Sequence, residues 1–227
     1  MRLSPISLPF EGKTIYQDTA SQGVSTASQI LFDKAITRFE NAPMRVLELG
    51  AGCGIVSIMA ALARPLWQIT AIEIQPALAE LACSNIKACG LQIELKVMDL
   101  CIIEGQYDLI LANPPWRKAG SGHFSANHSR NLSRFELACT LEDVLKAVKR
   151  CLVPGGTAIL LYPAERNAEI VRKAEKTFLD IIKQEQELGK KAYTTSYIQH
   201  RNDDEDEIFS DHSAAHAASG SLGISGT

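Results

Sequence analysis

Short apolar strands and helical segments alternate along most of the sequence, and this alternation restricts the chain to few folds. Strand-like runs occupy residues 44–49, 67–73, 93–97, 107–112 and 158–162. Helices are predicted at 26–39, 55–63, 76–88 and 141–152, either from the helical spacing of apolar residues or from residues that typically end a helix. The run 109–112 has no polar face, as expected for a strand that is buried on both sides. The pattern predicts an α/β fold, with a mostly parallel sheet and helices on both faces.

The two ends of the chain differ from this pattern. Residues 1–43 form a short prelude, with a hairpin predicted around Glu11-Gly12-Lys13 that runs into Thr14-Ile15-Tyr16. Residues 202–227 contain six acids and neither Lys nor Arg, and Ala, Ser and Gly dominate after Asp211. Such a composition buries too little apolar surface to fold. We therefore predict one domain over 1–201 and a disordered tail over 202–227, with an acidic docking tail as the alternative.

The formal net charge of −3 argues at first against a nucleic-acid partner. The tail accounts for that sign, because residues 1–201 contain 23 Lys and Arg against 20 acids, a net charge of +3. Because the domain is mildly basic, its net charge does not argue against a nucleic-acid partner. The charge alone does not indicate RNA either.

The sequence gives no sign of secretion, membrane insertion or metal binding. The N-terminus lacks the apolar region of a signal peptide, and no run approaches the roughly 18 apolar residues of a membrane span, so we expect a cytosolic protein. The six cysteines form no C-x-x-C pair, and the five histidines have no ligand spacing near a cysteine. We expect reduced, buried thiols and no metal ion.

A glycine-rich turn follows the strand 44–49 and precedes a helix, and it reads Glu48-Leu49-Gly50-Ala51-Gly52-Cys53-Gly54. Glycines allow the backbone to approach a ligand closely and to adopt positive φ. The E-x-G-x-G-x-G spacing differs from the G-x-G-x-x-G of dinucleotide sites, and the turn lacks the Lys of a phosphate loop. NAD binding is therefore the weaker alternative.

Carboxylates end the next two strands. Glu73 lies 23 residues after Gly50 and can accept hydrogen bonds from both hydroxyls of a ribose. Asp99 can receive an adenine amino group, although Asp often simply caps a turn. With the neighbouring Ile74 and Leu100, these residues predict a pocket for an adenosyl group.

The buried strand 107–112 leads directly into Asn113-Pro114-Pro115-Trp116. An aromatic amine is a poor nucleophile, because its lone pair is delocalised into the ring. The side-chain oxygen of Asn113 and the carbonyl of Pro114 can accept its two hydrogens and orient the nitrogen. Pro115 stiffens the turn, and Trp116 offers a face on which a flipped base can stack.

From the glycine-rich turn onward, the sequence resembles the S-adenosylmethionine-dependent methyltransferases with a seven-stranded, Rossmann-like sheet. The resemblance covers residues 44–200 and implies that 178–188 and 193–200 form a C-terminal antiparallel hairpin. It also implies that Glu48, Gly50, Ala51, Gly52, Gly54, Glu73, Ile74, Asp99, Leu100 and Asn113 contact S-adenosyl-L-methionine. The Asn113–Trp116 motif resembles that of enzymes that methylate adenine N6, guanine N2 of ribosomal RNA or a glutamine side chain.

Over residues 10–175, the chain resembles the tRNA adenine-N6 methyltransferases that act beside the anticodon of a valine tRNA. The segments carrying this resemblance are Asn113–Trp116, Gly120–Gly122, Arg134-Phe135-Glu136 and Leu141-Glu142-Asp143. It implies an RNA substrate, and candidate contacts to RNA phosphates are Arg117, Lys118, Arg130 and Arg134. A glutamine N-methyltransferase, a guanine N2-methyltransferase and a non-catalytic cofactor-binding or RNA-binding module remain alternatives.

Overall fold

The computed structural model describes residues 1–20, 24–116, 139–187 and 192–201. Within these ranges, nine strands and five α-helices follow the chain as β1 (Leu3–Ser7), β2 (Thr14–Asp18), α1 (Thr26–Arg38), β3 (Met44–Leu49), α2 (Ile55–Ala63), β4 (Trp67–Glu73), α3 (Pro76–Ala88), β5 (Glu94–Val97), β6 (Tyr107–Ala112), α4 (Leu141–Cys151), β7 (Leu152–Pro163), α5 (Asn167–Lys176), β8 (Leu179–Glu187) and β9 (Tyr193–His200). None of the described helices is long and apolar enough to cross a membrane. The predicted tail 202–227 and the basic residues Arg117, Lys118, Arg130 and Arg134 lie outside the described residues.

Seven of these strands form one sheet in the order β5-β4-β3-β6-β7-β9-β8. The five strands from β5 to β7 are parallel, whereas β9 runs antiparallel to both of its neighbours. The α/β architecture and the antiparallel C-terminal hairpin predicted above are confirmed.

The strand order reverses at β3, which creates the switch point where open α/β sheets bind ligands. From β3 the chain moves to β4 and β5 on one side, and then returns to β6 on the other. Leu49, the last residue of β3, pairs with Ile72 of β4 and with Ala112 of β6. The loops that follow these three strands therefore start at the same edge of the sheet.

Two apolar layers cover the sheet. Successive residues of β6 alternate between them, since Leu109 and Leu111 join one core cluster and Ile110 and Ala112 join the other. The first cluster includes residues of α1, α2 and α3, and the second includes residues of α4 and α5. This double burial explains why the run 109–112 has no polar face.

Strand β7 begins six residues earlier than the predicted strand 158–162. Leu152 already pairs with Tyr107, and the register then shifts before pairing resumes between Leu109 and Thr157. Gly155 has a φ of 76° within this stretch. The sequence Pro154-Gly155-Gly156, which ordinarily ends a strand, is accommodated here as an irregularity inside β7.

The N-terminal hairpin is attached to α3 by one buried amide. Asn85 is 2% exposed, and its Oδ1 accepts a hydrogen bond from the Tyr16 N–H (2.9 Å). Its Nδ2 donates to the carbonyls of Tyr16 (2.8 Å) and Cys53 (2.9 Å). A single side chain therefore connects β2, α3 and the glycine-rich turn.

Replacing Asn85 with Ala should lower the free energy of unfolding by about 3 kcal/mol, because three partly buried hydrogen bonds to the backbone of Tyr16 and Cys53 are lost. Chemical denaturation measures this change. Ser84→Ala is the matched control, since among the described residues the exposed Ser84 hydroxyl bonds only to the Glu80 carbonyl of its own helix. A loss at Asn85 no larger than at Ser84 would show that this amide does not anchor the hairpin.

Candidate cofactor and methyl-transfer site

A pocket opens at the carboxyl ends of β3, β4 and β6, where the sequence predicts the site. Its lining includes eleven of the predicted site residues, namely Glu48, Gly50, Ala51, Gly52, Glu73, Ile74, Asp99, Leu100, Asn113, Pro114 and Pro115. Gly54 and Trp116 do not line it. The candidate RNA contacts Arg117, Lys118, Arg130 and Arg134 lie outside the described residues.

The glycine-rich turn is fixed by backbone hydrogen bonds to the neighbouring strand. The N–H groups of Gly50 and Ala51 both donate to the carbonyl of Ile72, at 3.0 and 2.9 Å. Gly50 and Gly52 have φ values of 76° and 57°, and a Cβ at either position would meet no heavy atom within 4 Å. The backbone there faces open space, as close approach of a ligand requires.

Gly54 has a packing role in the structure. It lies at the N-terminus of α2 with a φ of 84°, and an added Cβ would lie 3.3 Å from the Cβ of Ala82 in α3. Close packing of α2 against α3, together with the positive φ, explains this glycine.

Glu73 connects the turn to the end of β4. One carboxylate oxygen accepts from the N–H of Gly52 (2.8 Å), and the other accepts from the N–H of Gln75 (2.9 Å). Burial raises the pKa of Glu73, and the backbone donors act against that effect. Each oxygen has a further lone pair, so the carboxylate can still accept from the hydroxyls of a ribose.

Glu48 is a second buried carboxyl group in the pocket lining. Its Oε2 accepts from the backbone N–H of Ser57 (3.0 Å) and from the Ser57 hydroxyl. Burial raises the pKa of Glu48 to about 7. This carboxyl group therefore titrates near neutrality, whereas ordinary Glu residues are fully ionised there.

Asp99 caps a turn, which was the simpler alternative for this residue. Its Oδ1 accepts from the N–H of Cys101 (2.8 Å) at the start of the short 3₁₀ helix Leu100–Ile102. Asp99 also lines the pocket beside Leu100 and Met98, so capping does not remove it from the site.

The Asn113–Trp116 motif leaves β6 beside the glycine-rich turn. The Oδ1 of Asn113 is buried and has no hydrogen-bond partner among the described residues. An unpaired buried acceptor costs about 1–3 kcal/mol, and this oxygen is available to accept a hydrogen bond from a group bound in the pocket. The Trp116 ring packs against the ring of Tyr193, with centroids 5.1 Å apart.

Part of the pocket wall was missed at the sequence level. Five residues from the N-terminal part of the chain line it: Gln17, Asp18, Val24, Ser25 and Ser28. No local motif marks these residues, and only the packing of the hairpin and α1 brings them to the sheet edge. Tyr193 was missed because it begins a strand, yet β9 is antiparallel and so starts at the edge where β7 ends.

The charge of the pocket is one-sided. Among the described lining residues there are four carboxyl groups, on Asp18, Glu48, Glu73 and Asp99, and no Lys, Arg or His. A dinucleotide phosphate would meet no basic side chain there, whereas a sulfonium and an ammonium group are favoured. The glycine backbone, the carboxylates and the apolar Ile74 and Leu100 therefore fit S-adenosylmethionine. Within the described ranges, no group of three potential ligand side chains is arranged to hold a metal ion.

The fold and the pocket are those of an S-adenosylmethionine-dependent methyltransferase. The family model named methyltransferase small domain matches residues 19–186 of the chain. The chain belongs to this family, and its cofactor is S-adenosyl-L-methionine.

Individual relatives have more specific names. A tRNA1(Val) (adenine(37)-N6)-methyltransferase of Dyadobacter fermentans is 27% identical over 169 residues, which cover 73% of this chain and 68% of that protein. A release factor glutamine methyltransferase of Salmonella typhimurium is 26% identical over 155 residues, which cover 64% of this chain and 55% of that protein. A solved methyltransferase structure from Pyrococcus furiosus has the same fold, with a TM-score of 0.63, 18% identity and coverage of 85% of this chain and 91% of that one.

Gly52→Ala should weaken the binding of S-adenosylmethionine by about tenfold or more, because the new methyl group enters the space above the turn. Isothermal titration calorimetry measures the Kd. Gly12→Ala is the matched control, since Gly12 has a similar φ of 69° and an open surrounding but does not line the pocket. Both variants should lose about 1–2 kcal/mol of stability through backbone strain. Equal effects of the two on the Kd would contradict the assignment.

The raised pKa of Glu48 predicts a pH-dependent penalty on folding in the cofactor-free protein. The unfolded chain releases this proton near pH 4.5 and the folded chain only near pH 7, so this residue makes stability fall as pH rises between those values. Glu48→Gln should remove that slope and gain about 3 kcal/mol relative to wild type between pH 4 and pH 8. Urea unfolding across this range tests it, and parallel curves for the two proteins would refute it.

Proposed function

We propose that the enzyme transfers a methyl group to the N6 amine of an adenosine in tRNA, beside the anticodon. The observation that carries this proposal is Asn113, which lines the cofactor pocket with a buried, unpartnered side-chain oxygen. The relative from Dyadobacter fermentans, whose name specifies this reaction, supports it.

Each part of the pocket has a proposed role. The backbone of Gly50, Ala51 and Gly52 lies along the cofactor, and Glu73 accepts from its ribose hydroxyls. Ile74 and Leu100 pack against the adenine ring, whose amino group donates to Asp99. Glu48 adds negative charge to the pocket when it is ionised. When bound, S-adenosylmethionine supplies an activated methyl group on a sulfonium.

The motif after β6 acts on the substrate amine in this proposal. Asn113 Oδ1 and the Pro114 carbonyl accept its two hydrogens and direct the nitrogen lone pair toward the methyl group. Pro114 and Pro115 have no N–H group and a fixed φ, which limits the conformations of the turn. Trp116, held by Tyr193, stacks on the base. Arg117, Lys118, Arg130 and Arg134 contact phosphates of the RNA.

A glutamine side chain in a protein is the second candidate substrate, favoured by the relative from Salmonella typhimurium. An amide nitrogen is planar and carries two hydrogens, so it makes the same demands on Asn113 and Pro114. The same residues would therefore serve either substrate, and the two must be separated by experiment.

Asn113→Ala should lower the rate of methyl transfer to tRNA by at least about 100-fold, since the nitrogen loses one of its two acceptors. Binding of S-adenosylmethionine should change by less than about threefold. Nucleoside mass spectrometry of total tRNA after incubation with the enzyme measures N6-methyladenosine. Asn41→Ala is the control, because Asn41 precedes β3 at the opposite edge of the sheet and bonds to the N–H of Leu66.

A second experiment distinguishes RNA from protein as the substrate. A cell extract is incubated with the enzyme and labelled S-adenosylmethionine, and the labelled molecule is then identified. RNase should release the label if RNA is the substrate. Label that resists RNase and disappears with protease would instead support the glutamine reaction. New methylation only at guanine N2 would contradict the adenine assignment.

A further inference from the structure

Few backbone hydrogen bonds can stabilise the conformation of the Asn113–Trp116 turn. Pro114 and Pro115 lack an N–H group, so neither can donate a backbone hydrogen bond. Pairing with β3 and β7 ends at Ala112. Within the described residues, the hydrogen bond to this turn beyond the strand comes from Arg166, whose Nη1 donates to the carbonyl oxygen of Trp116 at 3.0 Å.

Arg166 is itself held from two sides. It follows β7, the neighbour of β6, and is only 6% exposed. Its Nε and Nη2 lie 3.2 and 3.0 Å from the two carboxylate oxygens of Glu169. The guanidinium also lies over the ring of Tyr162, 5.3 Å from its centroid. Glu169 and Tyr162 thus fix the direction in which Nη1 points.

A planar guanidinium is needed for this arrangement. Nε donates to one carboxylate oxygen of Glu169 and Nη2 lies in ion-pair contact with the other, while Nη1 reaches the carbonyl of Trp116. A lysine ammonium cannot reach both groups at once in this way. Buried ion pairs of this kind add little net stability compared with apolar residues of similar volume. The geometry of the Arg166–Glu169 pair therefore points to a role in orienting the turn.

We infer that Arg166 is a positioning residue for methyl transfer. By fixing the Trp116 carbonyl at one end of the turn, it orients Asn113 and Pro114 at the other end, while Tyr193 holds the Trp116 ring. Arg166 does not line the cofactor pocket, so its loss should affect the reaction and not cofactor binding. The inference rests on the proposed roles of Asn113 and Pro114, and errors near 1 Å in such geometry can lower rates by about 100-fold.

The first test compares rates of tRNA methylation. Arg166→Gln should lower kcat by about 30- to 100-fold and change the Kd of S-adenosylmethionine by less than about threefold. Arg166→Lys and Glu169→Gln should also lower kcat, but by less. These two variants replace Arg166→Gln in the test if that protein does not fold. Arg201→Gln is the control, because Arg201 forms a similar pair with Asp180 (3.0 Å) at the end of β9, away from the pocket.

The second test needs no substrate and follows the turn directly. The chain has two tryptophans, so in a Trp67→Phe background the fluorescence reports on Trp116 alone. Adding Arg166→Gln should shift the emission of Trp116 to longer wavelength and increase its quenching by acrylamide. Adding Arg201→Gln should change neither property.

The outcomes separate this inference from the proposed function. If wild type methylates no RNA, the proposed substrate is wrong, and the Trp116 spectra still decide whether Arg166 holds the turn. The inference is overturned if folded Arg166 variants keep kcat within twofold of wild type, if Kd rises as much as kcat falls, or if the Trp116 spectrum is unchanged.

Discussion

The pocket depends on one register in the sheet, in which Leu49 of β3 lies between Ile72 of β4 and Ala112 of β6. Because all three strands run parallel, their ends lie level and the loops leave side by side. The glycine-rich turn can then donate back to Ile72 and Glu73, and Asn113 emerges beside it. A slip of one residue would move β6 by about 3.3 Å and exchange its two buried faces.

Charge is divided between the pocket and the rest of the domain. The described lining has four carboxyl groups and no basic side chain, whereas residues 1–201 together carry a net charge of +3. An acidic pocket favours a cationic cofactor, and the net positive charge of the remaining residues of 1–201 favours a polyanion over a longer range. A small net charge can therefore be the sum of an acidic pocket and a basic remainder of the domain.

Local patterns predicted the parts of the structure that depend on neighbours in sequence. The strands 44–49, 67–73 and 107–112 have the predicted bounds, because short, mostly apolar runs mark strands buried on both sides. The glycine-rich turn and Asn113 were found for a similar reason, since each lies at the end of such a strand. The early start of β7 was missed because Pro-Gly-Gly ordinarily breaks a strand, and here the pairing of Leu152 with Tyr107 outweighs that tendency.

The parts that were missed depend on long-range packing. Gln17 and Asp18 reach the pocket because the hairpin packs on α3, where Asn85 is one of its attachments, and the role of Gly54 follows from its contact with Ala82. Arg166 carries no motif, and the hydrogen bond from its guanidinium to Trp116 spans 50 positions in the sequence. Nothing near these residues in sequence marks their function.

The attachment of the hairpin to α3 also affects when the cofactor pocket can fold during synthesis of the chain. Asn85 follows Tyr16 by 69 positions, so the hairpin leaves the ribosome long before its partner exists. At about 5–20 residues per second, this interval lasts several seconds. The wall formed by Gln17 and Asp18 can close only after α3 has emerged, which places completion of the cofactor pocket well after the first strands are made.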